Sequence, residues 1–105
     1  MAIDRPTFHE SWYRVHALQP KLRADTRVFR QKFRGVLWYV IEDPVTNNFF
    51  RLNKYAYQFL GLLDGTLSVE QAWNRCMEED PDGSPTQGEV IELLGNLYQS
   101  NLIQS

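Results

Sequence analysis

A six-residue apolar run, Val36–Ile41, limits more than any other feature what this chain can fold into. β-branched and aromatic residues dominate it, which is typical of strands. The run is far shorter than the ~20 apolar residues that a membrane-spanning helix needs. Arg34-Gly35 before it and Asp43-Pro44 after it are turn-forming pairs. We therefore predict that Val36–Glu42 is a central, buried β-strand between two turns.

Two further strands are predicted beside it. In Arg27–Phe33, Phe29 and Phe33 lie among charged residues, which is typical of a strand with one solvated face. Phe49–Leu52 follows the second turn as a short third strand. Three consecutive strands with short links predict an antiparallel meander.

The apolar period then changes from 2 to 3.6, which predicts three helices. Asn53 is a candidate N-cap for a helix over Lys54–Leu63. Capping boxes at Ser68 and Thr86 begin a second helix, which extends to about Glu79, and a third. Strands followed by helices indicate an α+β fold. The third helix spans Gln87–Ser100, with Val90, Ile91, Leu94, Leu97 and Tyr98 as its core stripe, and Asn101 ends it so that Leu102-Ile103 folds back on the core.

The chain divides into a partly ordered N-terminal arm, residues 1–25, and a domain, residues 26–105. The charge is also divided, since residues 1–40 carry +5 and residues 41–105 carry −7. Such asymmetry is typical of a nucleic-acid or membrane face. A basic arm packed near acidic helix starts explains it as well, and we prefer this because charge patches are usually solvated faces.

Catalytic and metal-binding patterns are missing from the sequence. His9-Glu10 lacks the second histidine of a zinc-hydrolase motif, because Tyr13 stands in its place. Cys76 is the only thiol, falls on the inner stripe of the second helix, and is expected to pack as a small apolar residue. We predict no catalytic residue, no metal and no cofactor. The absence of disulfides and of a signal segment predicts a cytoplasmic location.

The third strand is the candidate binding element. Because side chains alternate, one of Phe49 and Phe50 faces outward if the other packs inward. An outward Phe beside an open strand edge suits peptide capture by strand addition. Coverage of that edge by the arm or by the third helix is equally compatible with the sequence.

Four segments together resemble the PqqD-like family, also called the RiPP recognition element. They are Tyr39–Pro44, Phe50–Asn53, Leu62–Thr66 and Ser68–Gln71, and the resemblance covers about Arg27 to Ile103. It implies a winged-helix-like, non-catalytic domain that binds a leader or substrate peptide and presents it to a partner enzyme or transporter.

A second likeness includes the arm. Glu10–Val15, Pro20–Arg23 and Phe33–Val40 look like the N-terminal cytosolic segment of bacterial peptide zinc metalloproteases of the site-2-protease-like type. This implies an excised domain or a standalone relative, with a membrane-embedded protease-like region as a partner in the same full-length chain. The zinc motif is missing from this sequence, so the protease activity does not carry over.

The PqqD-like resemblance implies that the peptide adds a strand in the cleft between the third strand and the third helix. On the helix, the implied residues lie on the flank outside the predicted core stripe, and its acidic side chains favour a basic peptide. The implied peptide-binding residues are Asn48, Phe49, Phe50, Arg51 and Leu52 on the strand, and Glu89, Glu92, Leu93 and Asn96 on the helix.

Two alternatives stay open. A winged-helix DNA-binding domain is disfavoured because the third helix contains Glu89 and Glu92 and no basic residue. A structural module of a larger membrane protease-like protein, which docks or dimerises through the sheet edge, is the other. We expect no nucleic-acid partner and no direct membrane insertion.

Overall fold

A computed structural model describes residues 7–104, so residues 1–6 of the predicted arm and Ser105 lie outside the described part of the chain. The structure contains a three-stranded sheet and three α-helices, which confirms the α+β prediction. In chain order the elements are a 3-10 helix (Trp12–Arg14), β1 (Lys21–Leu22), β2 (Arg27–Phe33), β3 (Val36–Asp43), β4 (Asn48–Leu52), α1 (Lys54–Gly61), α2 (Val69–Glu79), α3 (Gln87–Gln99) and β5 (Ile103–Gln104).

The sheet is the predicted antiparallel meander, in the order β2-β3-β4. Phe33 pairs with Val36 at the end of the first hairpin. The two residues between them, Arg34 and Gly35, have φ of 52° and 79°. Positive φ at both central positions is the geometry of a tight hairpin turn whose twist matches that of the strands. β3 is therefore the central strand, as the apolar run predicts.

The prediction that β3 is buried along its length is wrong. Ile41 is fully buried and Val40 nearly so, but Val36 and Leu37 are 52% and 40% exposed. Every residue of β2 is also exposed. The reason is geometric: the helices pack against the end of β3 near Ile41, and the hairpin projects beyond them.

The helix caps form as the sequence predicts. Asn53 accepts a hydrogen bond from the Ala56 amide at 2.8 Å, and both capping boxes are present. α1 ends two residues before the predicted Leu63, because the Leu63 amide bonds to Leu60 three residues back and tightens the last turn. Asn101, at φ 59°, ends α3.

The α3 core stripe differs in part from the predicted one. Val90, Leu94 and Leu97 are buried, but so is Leu93, whereas Ile91 and Tyr98 are only half-buried. The buried face is thus rotated toward the flank that the sequence assigned to ligand binding. The core comprises Trp12, Ile41, Leu52, Phe59, Leu60, Leu63, Val69, Ala72, Trp73, Val90, Leu93, Leu94, Leu97, Leu102 and Ile103.

The segment before β2 packs on the helices. Trp12 is 8% exposed, and its ring centroid lies 5.5 Å from that of Trp73. β1 pairs with β5, so that Leu22 lies opposite Ile103. The sequence does not predict this strand pair, because each strand has only two residues.

A buried ion pair joins this segment to the sheet. Asp43 is 2% exposed and accepts hydrogen bonds from Arg23 at 3.1 Å and from the Val45 amide at 3.0 Å. Arg23 also donates to the Asn101 carbonyl at 2.8 Å. The Val45 amide and the Arg23 guanidinium hold the pKa of Asp43 below its usual value.

Replacing Trp12 with alanine will test how far the N-terminal segment supports the core. We expect Trp12→Ala to lower the free energy of unfolding by about 3–5 kcal/mol, the range for buried aromatic truncations. Urea unfolding followed by circular dichroism measures it. The neighbouring Tyr13 is 67% exposed, so Tyr13→Ala is the control and should stay within about 0.5 kcal/mol of the parent. Equal effects of the two variants would contradict a docked Trp12.

The Asp43 ion pair predicts a specific dependence of stability on pH. Because its pKa is lowered in the folded state, the carboxylate stabilises the fold above the ordinary carboxyl range, and this contribution is lost as the pH falls through the folded pKa. Asp43→Asn should therefore lower the urea midpoint at neutral pH, and the gap to the parent should narrow below about pH 4. Asp82→Asn, at an exposed position, is the control. A gap that stays constant with pH would refute the ion-pair contribution.

Candidate functional site

An open groove of about 480 Å³ lies between the β4 edge and α3. This volume is within the range of sites that hold small ligands or peptide side chains. β4 provides one wall, α3 the opposite wall, and the start of α1 and the α2–α3 loop close one end. The groove is lined by Trp38, Phe50, Arg51, Leu52, Asn53, Tyr55, Ala56, Asp82, Gly83, Ser84, Pro85, Glu89, Glu92, Leu93 and Asn96.

The floor of the groove is apolar. Phe50 and Ala56 are half-buried and pack against the core, while Leu52 and Leu93 are 3% and 8% exposed and belong to it. Core packing therefore fixes the floor before any ligand arrives. Such a floor can take an apolar side chain, since burial of apolar surface is favourable at ~25 cal/mol per Å².

The rim of the groove is charged and mostly acidic. Asp82, Glu89 and Glu92 are exposed on the side of α3, and Arg51 is exposed on the side of β4. Glu89 also accepts a hydrogen bond from the Thr86 amide at 2.9 Å in the capping box. The Arg51 guanidinium lies 5.8 Å from the centre of the Phe33 ring, which draws it toward the outer face of the sheet.

The α2–α3 loop, which closes the groove, is held by its own hydrogen bonds. The Gly83 amide donates to the Asp80 carboxylate at 3.0 Å, and the Ser84 hydroxyl donates to the Asp80 carbonyl at 2.6 Å. The Trp73 indole donates to the Pro85 carbonyl at 2.8 Å. This end of the groove is therefore preformed.

Seven of the nine residues predicted for peptide binding lie along the groove: Phe50, Arg51, Leu52, Glu89, Glu92, Leu93 and Asn96. Asn48 and Phe49 do not. Asn48 pairs with Asp43 at the far end of β4, and Phe49 packs edge-on against Phe29 with ring centroids 6.5 Å apart. Phe49, 59% exposed, is thus the outward Phe of the pair. Whether these nine side chains bind a peptide stays a prediction.

Sequence reasoning missed the closed end of the groove. Asn53, Tyr55 and Ala56 follow β4 directly, and their place immediately after the strand is a signal that could have found them. The loop 82–85 carried no such signal, because a Pro- and Gly-rich segment indicates a turn without indicating where the turn packs.

The two histidines and the cysteine, which the sequence analysis weighed for catalysis or metal binding, have contacts that give them structural roles. The His9 ring accepts a hydrogen bond from the Ser11 amide at 3.0 Å, and His16 lies 3.7 Å from Glu70. Burial raises the pKa of the Cys76 thiol, with a smaller effect of the Glu79 charge, which disfavours the reactive thiolate. Within residues 7–104, no three His, Cys, Asp or Glu side chains converge as a metal site would require. None of the helices in the same range has both the length and the apolar composition to cross a membrane.

The fold and the groove together define a small α+β domain with a ligand-sized cleft beside an edge strand. The family model described as coenzyme PQQ synthesis protein D (PqqD) matches residues 39–103. This match covers more than half of the chain, and the protein belongs to the PqqD family. Membership supports a recognition role rather than catalysis. No curated protein and no solved structure matches the chain significantly.

The family match begins at residue 39 and leaves the first 38 residues outside it. The likeness to the cytosolic segment of the metalloproteases, which depends partly on those residues, stays a prediction. The division into an arm and a domain and the winged-helix comparison also stay predictions.

Two glycines provide a test of the groove's shape. A Cβ at Gly83 would press against the Tyr55 ring and the Asp80 carboxylate, whereas nothing lies within 4 Å of a Cβ at Gly95 on α3. We expect Gly83→Ala to displace the Tyr55 ring and to lower stability by about 1–3 kcal/mol. Its matched control, Gly95→Ala, should raise stability by about 0.5–1 kcal/mol. Tyr55 ring chemical shifts and urea unfolding measure both, and unchanged Tyr55 shifts in Gly83→Ala would contradict the packed loop.

Proposed function

We propose that this domain binds a leader or substrate peptide in the β4–α3 groove and presents it to a partner enzyme or transporter. The observation that carries the proposal is the position of β4 at the edge of the sheet, beside a groove with an apolar floor. An edge strand presents unpaired main-chain N–H and C=O groups, which a peptide in extended conformation can satisfy. Membership of the PqqD family supports the same function.

Side-chain alternation sets what the peptide should contain. In an added strand, alternate side chains point to opposite faces, so one set enters the floor lined by Phe50, Leu52 and Leu93. Side chains at the edge of this floor meet the acidic rim of Asp82, Glu89 and Glu92. The preferred ligand is therefore a peptide that combines apolar residues with Lys or Arg.

Presentation to a partner requires free surface beside the groove. The β2–β3 hairpin, exposed over all of β2, offers such surface without covering the groove. The likeness to metalloprotease cytosolic segments suggests one source of the partner, a catalytic region in the same full-length chain at the cytosolic face of a membrane. A cytoplasmic location fits this proposal.

The two alternative functions, DNA binding and dimerisation, can be distinguished by the charge of the groove and by the stoichiometry of the protein. A DNA-binding domain would place cations on the recognition helix, but the groove side of α3 carries Glu89 and Glu92. Dimerisation through the sheet edge would use the same β4 edge as the peptide. Light scattering distinguishes this alternative, since a dimer held by β4 would dissociate as peptide binds.

Peptides selected from a random library for binding to the domain provide the test. We expect them to be rich in apolar and basic residues and to shift amide resonances of β4 and α3. Glu92→Lys should weaken their binding about three- to tenfold by replacing attraction with repulsion. Glu78→Lys, at an exposed position of α2 and outside the groove, makes the same charge change and should have little effect. Shifts confined to other surfaces, or equal effects of the two variants, would overturn the proposal.

A further inference from the structure

The β2–β3 hairpin carries exposed apolar side chains at its tip, Phe33–Leu37. Phe33, Val36 and Leu37 are 49%, 52% and 40% exposed. Phe33 and Val36 lie directly across from one another on one face of the hairpin, and Leu37 lies on the other. About half of each side chain is in solvent, although the Arg34 and Arg51 guanidinium groups lie near the Phe33 ring. Exposed apolar side chains grouped at one hairpin tip indicate a candidate interaction surface.

Cations surround this tip on both faces. Arg30 and Lys32 lie on the face that carries Leu37, and Arg34 lies at the turn. The Arg34 guanidinium is 5.2 Å from the centre of the Phe33 ring, so charge and apolar surface adjoin. β2 and its turn contain no acidic residue.

The opposite charge is concentrated on the helices. Residues 69–99 hold seven acidic side chains and one basic side chain, Arg75, in a chain whose net charge is −2. The domain is therefore electrically polar, with a basic hairpin and acidic helices. Near an anionic surface such a charge distribution turns the hairpin toward the surface and the helices away.

We propose that the tip of the β2–β3 hairpin docks on the surface of an anionic phospholipid bilayer. A bilayer interface accepts both features of the tip, because its apolar boundary takes Phe33, Val36 and Leu37 and its phosphate groups take the surrounding cations. A folded protein partner that covers one face of β2, as the proposed function allows, would leave the apolar side chain and the charge on the other face of the tip unused. A nucleic acid would pair with the cations and leave the aliphatic tip in water. The contact is peripheral, so it adds a surface interaction to a chain for which the sequence predicts no inserted segment.

Sedimentation with lipid vesicles tests the proposal. Vesicles of phosphatidylcholine with about 30% phosphatidylserine should bind the domain, whereas pure phosphatidylcholine vesicles should bind it weakly, because attraction requires anionic headgroups. Trp38 reports on the contact, because it is half-buried and lies two residues after Val36 in β3. Trp12 and Trp73 are buried in the core. A blue shift of tryptophan fluorescence on anionic vesicles is therefore expected from Trp38.

Two double variants distinguish vesicle binding through the hairpin from nonspecific attraction by net charge. Arg30→Glu with Lys32→Glu should weaken binding to the anionic vesicles by about 30-fold or more, since each cation near the surface contributes about fivefold. Lys54→Glu with Arg75→Glu makes the same change in net charge on exposed helix positions and should weaken binding less than about threefold if the hairpin carries the contact. Circular dichroism confirms that each variant is folded.

A second hairpin variant removes apolar surface only. Val36→Ser with Leu37→Ser leaves the charge unchanged, and both residues lie outside the core. It should weaken vesicle binding and abolish the fluorescence shift. Any one of four results would overturn the proposal. These are equal binding to neutral and anionic vesicles, equal losses of binding in the two charge variants, unchanged binding of the serine variant, and displacement of the domain from vesicles by duplex DNA at an equal concentration of charge. None of the substituted residues lines the groove, so peptide binding should persist in all of them, and this outcome is independent of the vesicle result.

Discussion

The contacts of Arg23 hold together three parts of the chain that are distant in sequence. Its guanidinium binds the buried Asp43 carboxylate at the end of β3 and the Asn101 carbonyl after α3, and its amide donates to the Leu102 carbonyl. A buried carboxylate without such a partner would destabilise the fold, because desolvation of the charge would go uncompensated. This single side chain thus aligns the N-terminal segment, the sheet and the C-terminal strand pair, and the groove depends on that alignment because it lies between the sheet and α3.

The local elements were predictable because each has a local cause. The capping boxes at Ser68 and Thr86, the Asn53 cap and the Arg34-Gly35 turn all depend on side chains within three residues of the backbone groups they satisfy. The Arg23–Asp43 ion pair was not predictable, because its partners are twenty residues apart in the sequence and each has other charged residues near it. The prediction that β3 is buried failed for a similar reason: an apolar run predicts a strand, but it does not predict how far the helices extend along that strand.

The candidate site was predictable in part, and the family resemblance contributed most of it. Side-chain alternation identified an outward Phe, but that residue, Phe49, packs on Phe29 outside the groove. On α3 the predicted flank and the observed core face overlap at Leu93, because a helix in a small domain buries more than one narrow stripe. The loop 82–85 closes the groove through tertiary contacts, such as the bond from Trp73 to Pro85, that sequence patterns do not encode.

The first turn of α3 contributes to the groove on one side and binds the N-terminal segment on the other. On one side Glu89 lines the groove while its carboxylate accepts the Thr86 amide. On the other side the Gln87 amide donates to the Thr7 carbonyl, and the Gln87 side chain accepts from the His9 amide, both at 2.9 Å. A ligand bound to the Glu89 carboxylate would therefore contact the same turn of helix that holds the N-terminal segment. If a ligand weakens this cap, its binding and the attachment of the segment are coupled, and by thermodynamic linkage each then affects the other by the same factor.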